Sequence, residues 1–292
     1  MLKKVSLIEI LFKESLWDLL WRIRITKTYL IIHNYYRPSI SNFLKQVIFK
    51  IPRSIRIQRH LSKIINHQEY YKVMFKKIRY PLFWSKSYSL RHLFLVIDES
   101  LDSKSWHFYE IPETTVSSGD VVVDCGASEG LFSLRVADRA ARIYIIEPSP
   151  MFLNCLYKTF QNIKNVEIIP KAVGDKEDKG FLSGASICSK ISDEGIDIQL
   201  TTIDSLFHDN SIKIDYIKAD LEGYEMKMLL GAKNTIKAYK PKIAITVYHR
   251  GQNVNVITDY LAKLVPTYKF KIKGFTDSAD EEGNPTMLHC YI

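Results

Sequence analysis

Hydrophobic and polar positions along the chain fall into two regimes. Over residues 5–22, Leu7, Ile8, Leu11, Phe12, Leu16, Leu19 and Leu20 recur on one side at helical spacing. Lys13, Glu14 and Asp18 lie opposite them, so the segment predicts an amphipathic helix. Aromatic and basic stretches follow, YLIIHNYYRPSI and IPRSIRIQRHLSKIINHQEYYKVMFKKIRY, and residues 1–80 read as a helical N-terminal extension. From about residue 105 short apolar runs alternate with amphipathic ones. VVVDC is apolar apart from Asp124, as suits a strand covered on both faces. LFSLRVADRA is helical, ARIYIIE a second strand, and PSPMFLNCLYKTFQNI a helix opened by proline, with Leu153, Leu156 and Phe160 inward. VEIIPKAV reads as a third strand, and Gly174 to Leu200 as a loop or hairpin. IDYIKAD is a fourth strand, EGYEMKMLLGAKNTIKAY a helix broken at Gly231, and PKIAITVYH a fifth strand. VNVITDYLAKLV is a helix, with YKFKIKGF and TMLHCYI as closing strands. This alternation predicts an α/β domain over residues 81–292, a doubly wound, mostly parallel sheet with helices on both faces.

In such a sheet ligands bind beyond the carboxyl ends of the strands, so the residues after each strand carry the chemistry. The first strand runs into Asp124-Cys125-Gly126-Ala127-Ser128-Glu129-Gly130. Gly126 and Ala127 let a ligand lie against the backbone, and Gly130 lets the helix pack closely on the strand. The spacing is not the dinucleotide GxGxxG. Asp124 and Glu129 would repel a diphosphate and favour an ammonium or sulfonium, although acids at a helix N-terminus also serve the helix dipole alone. Glu147 ends the second strand, placed to accept hydrogen bonds from two ribose hydroxyls or simply to cap the next helix. Together these residues point to a nucleoside ligand without a pyrophosphate, a description that S-adenosylmethionine fits.

The fourth strand offers Lys218, Asp220 and Glu222, which share one side while the chain stays extended. The fifth ends in Tyr248 and His249. A neutral imidazole makes His249 the natural base for a hydroxyl acceptor. Asp220 is the alternative base, or the group that orients His249 or the acceptor, and Lys218 would hold both acids ionised. The plainer alternative is a salt-bridged network that fixes the loop. The chemistry needs no metal, and none is expected.

Charge adds one distinction. The net charge of +9 is uneven: residues 1–100 hold 19 Lys/Arg against 6 Asp/Glu, and residues 101–292 hold 22 against 26. The two regions therefore suit different partners. The extension either presents a solvated basic face or meets a membrane surface, an anionic glycan or a nucleic acid. No nucleic-acid module is recognisable, which disfavours the last. Cys125, Cys155, Cys188 and Cys290 form no CxxC or Cys/His ligand pattern, so a structural zinc is not expected and a reducing compartment is. No apolar run suits a membrane span, and the charged N-terminus lacks a signal-peptide core. The expectation is a cytoplasmic protein with peripheral contact at the inner membrane face through residues 1–80. The oligomeric state stays open.

VVVDCGASEGLFSL, IYIIEPSP, KAVGD, LTTIDSL, IDYIKADLEGYE and the strand ending in His249 resemble, in this order, the FkbM-type family of S-adenosylmethionine-dependent methyltransferases. The resemblance covers roughly residues 105–292. It implies the class I methyltransferase fold, a Rossmann-like seven-stranded sheet with TMLHCYI as the inserted antiparallel strand. It also implies that Asp124, Gly126, Ala127, Ser128 and Gly130 line the methionine end and backbone of the cofactor, with Glu147 on the ribose. Ala172 and Val173 would flank the adenine. Glu129 departs from the family, where an apolar residue is common. The implied activity is methyl transfer to a hydroxyl, on a sugar of a glycan or glycolipid or on a small molecule. Two rivals stand: an RNA methyltransferase using the basic N-terminal region, and a cofactor-binding protein without turnover. The missing GxGxxG disfavours a nicotinamide-dependent oxidoreductase.

Overall fold

The computed structural model describes residues 19–27, 40–44, 47, 53–183, 190–192, 194–249, 251–276 and 285–292. Most of the helix predicted over 5–22 lies outside these. Residues 19–27 are helical, but Leu19 and Leu20, expected to face inward, are 54% and 46% exposed. The inward edge is instead Trp21 and Ile25, one turn apart, with Ile25 clustered against Phe43, Val47 and Phe275. This contact seats the N-terminal segment on the C-terminal part of the chain.

The expectation of an all-helical extension is corrected further on. β1 (Leu61–Asn66), β2 (Tyr70–Phe75) and β3 (Leu82–Ser85) form an antiparallel sheet, which also crosses the 80/81 division drawn from the sequence. The reason is a period of two hidden among the basic residues of β2, where Val73 and Phe75 are buried, followed by a buried run of Leu82, Phe83 and Trp84 in β3. This sheet packs on the helix Pro150–Phe160. There the Phe83 N–H donates to Thr159 Oγ1 at 3.1 Å and Tyr88 stacks on Phe152 at 5.1 Å.

The central sheet holds β4 (Val121–Cys125), β5 (Arg142–Ile146) and β6 (Val166–Ile169). VEIIPKAV, expected as one strand, divides after β6, because Pro170 has no N–H to continue a ladder. Its remainder, β7 (Ala172–Val173), joins β8 (Asp178–Ser183), β9 (Lys190–Ser192) and β10 (Ile196–Thr201) in a second sheet of order β7-β10-β8-β9. β11 (Tyr216–Ala219), β12 (Lys242–Thr246), β13 (Lys269–Phe275) and β14 (Pro285–Tyr291) complete the central sheet in the order β13-β14-β12-β11-β4-β5-β6. β12, β11, β4, β5 and β6 run parallel, and β14 inserts antiparallel between β12 and β13. Pleating sends Val122 into one hydrophobic layer and Val123 into the other, so both faces of the sheet are covered. Helices fill the connections at Leu131–Val136, Pro150–Phe160 and Val254–Leu264, and the predicted break at Gly231 separates Glu225–Leu230 from Lys233–Tyr239. Among the described residues no helix is long and apolar enough to cross a membrane.

Candidate active site

The turn after β4 is shaped by contact with β11. Gly126 has φ +69°, and a Cβ there would lie 2.0 Å from the Asp220 carbonyl oxygen, so no side chain fits. Gly130 has φ +82°, and its Cβ would meet Leu156 and Phe160 at 2.7 Å, so it lets two helices approach. Glu147 follows β5, and its carboxylate accepts from the Ser128 N–H at 2.8 Å and the Ser149 N–H at 2.9 Å. Burial pushes this carboxyl up to about 7 against those two donors.

A cavity of about 280 Å³ opens over the turn. Gly126, Ala127, Ser128, Glu147, Ala172 and Val173 line it, so most of the expected cofactor residues converge. Two do not. Gly130 packs behind the turn, and Asp124 is fully buried beneath it. Asp124 accepts from Ser133 Oγ at 2.7 Å and pairs with Lys218 Nζ at 3.1 Å, while Lys218 donates to the Gly126 carbonyl at 2.6 Å. Burial opposes the Lys218 charge, but Asp124 and Asp220 outweigh it and hold the ammonium above its ordinary value. This ion pair clamps the glycine turn from below; Asp124 has no place on the cavity wall. Glu129 does line the cavity, and burial pushes it up to about 8.

The expectation that Lys218, Asp220 and Glu222 share one side of an extended chain is corrected. β11 ends at Ala219, and Glu222 has φ +53°, so the chain turns before reaching it. Lys218 points under the turn. Asp220 and Glu222 line the cavity and face His249, whose Nε2 lies 3.7 Å from Asp220 Oδ1 and 3.4 Å from Glu222 Oε2. His249 itself is only 5% exposed and stands behind them. Its Nδ1–H donates to Glu225 Oε1 at 2.7 Å, and that oxygen also accepts from the Leu221 N–H and Thr246 Oγ1. Burial works against a charged imidazole here. The Glu225 hydrogen bond and the charges of Asp220 and Glu222 overcome it and hold His249 at about 9. These contacts favour the charged imidazole at neutral pH over the neutral one that a base there would need.

Asp220 takes a further hydrogen bond from the Tyr109 hydroxyl at 2.6 Å, and His107 Nε2 lies 3.7 Å away. Burial disfavours its ionised form, but His107, His249, Lys218 and the Tyr109 hydroxyl outweigh burial and hold it below the usual carboxylate range. Burial pushes His107 down to about 4, so His249 is its positive histidine partner at neutral pH. Asp220, Glu225 and His249 also bring ligand atoms within 4.8 Å of one another, a set able to hold a divalent cation once the imidazole proton leaves. Sequence reasoning missed Glu225, although it ends the motif IDYIKADLEGYE, and it missed Glu99, His107 and Tyr109. Those three precede β4, in a region without any strand-end signal.

A parallel sheet with one antiparallel insertion, a glycine turn after its first strand and a carboxylate ending the second define a class I methyltransferase. The family model described as the methyltransferase FkbM domain matches residues 124–271, just over half of the chain, and the chain belongs to that family. Its cofactor is S-adenosylmethionine, and the cavity fits it: Glu147 suits a ribose diol, Gly126 leaves the backbone bare, and the ionised Asp220 favours a sulfonium. A probable ribosomal RNA small subunit methyltransferase A from Methanococcoides burtonii is 31% identical over 77 residues, 26% of each chain. The chain thus spans about a quarter of that curated relative's length. The crystal structure of methyltransferase FkbM from Methylobacillus flagellatus aligns with TM-score 0.46 and 23% identity, over 69% of this chain and 54% of that one. Aeropyrum pernix fibrillarin with bound S-adenosylmethionine aligns with TM-score 0.38 and 12% identity, over 79% and 98%.

Proposed function

We propose that the chain transfers the methyl group to a hydroxyl, on a sugar of a glycan or glycolipid. The observation that carries this reading is Asp220, an ionised carboxylate on the cavity wall, steadied by Tyr109 in front and by the His249–Glu225 pair behind. S-adenosylmethionine, when bound, supplies an electrophilic methyl carbon. Asp220 would accept the hydrogen bond of the acceptor hydroxyl, aim its oxygen at that carbon and take its proton as the methyl passes from sulfur to oxygen, the sulfur–methyl pair returning to sulfur in the departing thioether. A weakly basic carboxylate suffices, because the hydroxyl proton becomes strongly acidic only as the oxygen is alkylated. His249 is then a positioning residue, with Glu225 fixing its ring as an acid fixes the histidine of a hydrolase triad.

The RNA reading draws support from the ribosomal RNA methyltransferase relative. Against it, the cavity wall carries two lysines, Lys171 and Lys218, the second already paired with Asp124, so it offers a phosphate backbone little positive charge. Exposed Leu19, Leu20 and Ile23 beside Arg24 and Lys27 give a glycolipid acceptor a membrane-facing edge to work from. The test supplies methyl-tritiated S-adenosylmethionine with a cell-envelope glycan fraction and, separately, with ribosomal RNA. Label in the glycan, abolished by Asp220→Asn at unchanged cofactor affinity, is expected. Label confined to RNA would sink the glycan reading.

A further inference from the structure

Glu99, His107 and Tyr248 line the donor cavity and also a second one, of about 220 Å³. The two cavities therefore meet at the cluster around Asp220, where an acceptor hydroxyl must arrive. The second cavity is built by both parts of the chain. Trp21 comes from the helical residues 19–27 and Arg56 from the helix Arg53–His60, whereas Trp106 and Thr286 belong to the main domain. The N-terminal segment is thus a wall of this cavity as well as a neighbour of the sheet.

Its lining combines an aromatic cluster with neutralised charge. Trp21 and Trp106 meet edge to face with centroids 6.0 Å apart, and Trp106 packs on Phe275 at 4.8 Å. Arg56 is engaged by both Asp98 and Asp102, and Arg53 lies 3.8 Å from Asp98. With these cations committed to carboxylates, the cavity has little attraction for a phosphate or a uronate. Aromatic rings beside the hydroxyls of Ser105, Tyr248 and Thr286 and the carboxyl of Glu99 suit a ligand with apolar C–H faces and a hydroxylated edge. A pyranose ring is such a ligand.

We propose that the second cavity seats one uncharged sugar ring of the acceptor, with Trp21 and Trp106 against its C–H faces and Glu99 hydrogen-bonding a ring hydroxyl, so that a neighbouring hydroxyl reaches Asp220. The proposal rests on the reading of the chain as a sugar methyltransferase and adds the seat of the reacting ring and its lack of charge. Burial pushes the Glu99 carboxyl up to about 8, so at neutral pH it both donates and accepts, which matches a hydroxyl partner. The basic charge of the N-terminal region then has no part in recognising the reacting sugar, and its contribution to the site is the aromatic wall.

The experiment titrates full-length protein loaded with S-adenosylhomocysteine against p-nitrophenyl α-L-rhamnopyranoside, α-L-fucopyranoside and α-D-mannopyranoside, following tryptophan fluorescence. Saturable binding of at least one glycoside is expected, weakened about tenfold or more by Trp106→Ala and by Glu99→Met. Trp106→Ala keeps its affinity for S-adenosylhomocysteine, measured by calorimetry on the same samples, and the thermal unfolding midpoint of each variant reports that it is folded. If S-adenosylhomocysteine binds and no glycoside does, the sugar site is overturned while the methyltransferase reading stands. Tighter binding of adenosine 5′-monophosphate than of every glycoside, or glycoside binding indifferent to both variants, overturns it equally. If S-adenosylhomocysteine itself does not bind, both readings fall together.

Discussion

The Glu225–His249 pair yields a prediction whose size follows from its geometry. His249 rises from 6.5 to about 9 in the fold, which at about 1.4 kcal/mol per pH unit is worth about 3 kcal/mol. Because the folded value is the higher one, this stabilisation is fully present below pH 6.5 and is lost as pH rises through about 9. Glu225→Gln keeps an oxygen for the Leu221 N–H and Thr246 but removes the charge 2.7 Å from Nδ1. Losing one such neighbouring charge lowers a histidine by roughly 1–3 pH units. Two assays read this. A Cε1–Hε1 NMR titration of His249 should place the wild type near 9 and the variant clearly lower. Urea unfolding should find Glu225→Gln less stable at pH 6, by roughly 1.4–4 kcal/mol, with the gap closing by about pH 10. The raised carboxyls Glu99, Glu129 and Glu147 titrate in both proteins and cancel in the comparison. A wild-type His249 titrating near 6.5, or a variant titrating at the wild-type pH, would refute the reasoning.

Other consequences follow from the same contacts. Glu147→Gln should weaken S-adenosylmethionine binding by about 1–3 kcal/mol through loss of a charged acceptor for the ribose, read by calorimetry; an unchanged Kd would remove Glu147 from the ribose. Gly126→Ala forces a Cβ to 2.0 Å from the Asp220 oxygen and should abolish cofactor binding. Gly119→Ala, also at positive φ but with nothing within 4 Å, should cost only backbone strain, and equal effects would contradict the close approach. Lys218→Met leaves Asp124 buried without its cation and should cost about 3–5 kcal/mol in urea unfolding; a loss below about 1 kcal/mol would mean that the pair does not clamp the turn.

The parts of this molecule that were legible in the sequence share one property: a single strand or turn carries each signal. VVVDC, the glycine turn, Glu147 and the strands ending near Asp220 and His249 each announce themselves locally. What local pattern cannot report is which way a side chain points once strands are paired. Asp124 looks like a cavity residue because it ends a strand, yet pairing of β4 with β11 sets Lys218 opposite it and draws both beneath the turn. Glu222 looks coplanar with Asp220 until its positive φ bends the chain. His249 looks like a free imidazole until Glu225, four residues beyond Leu221 and across from β12, closes on it.

The acceptor side was hidden for a different reason. Tyr109 reaches Asp220, and Trp106 reaches the second cavity, from a stretch between the helix Leu90–Leu101 and β4 that has no periodicity to betray a function. Trp21 joins them from far earlier in the chain, through packing of Ile25 and Phe275. A methyl donor is the same molecule for every enzyme that uses it, so its pocket is written in short motifs along one sheet. An acceptor differs from one enzyme to the next, and the residues that meet it come from segments the sheet does not constrain. The division in this chain follows that logic. The donor cavity sits over the ends of β4, β5 and β11, and the acceptor site proposed for it is assembled by packing of the N-terminal segment against β13.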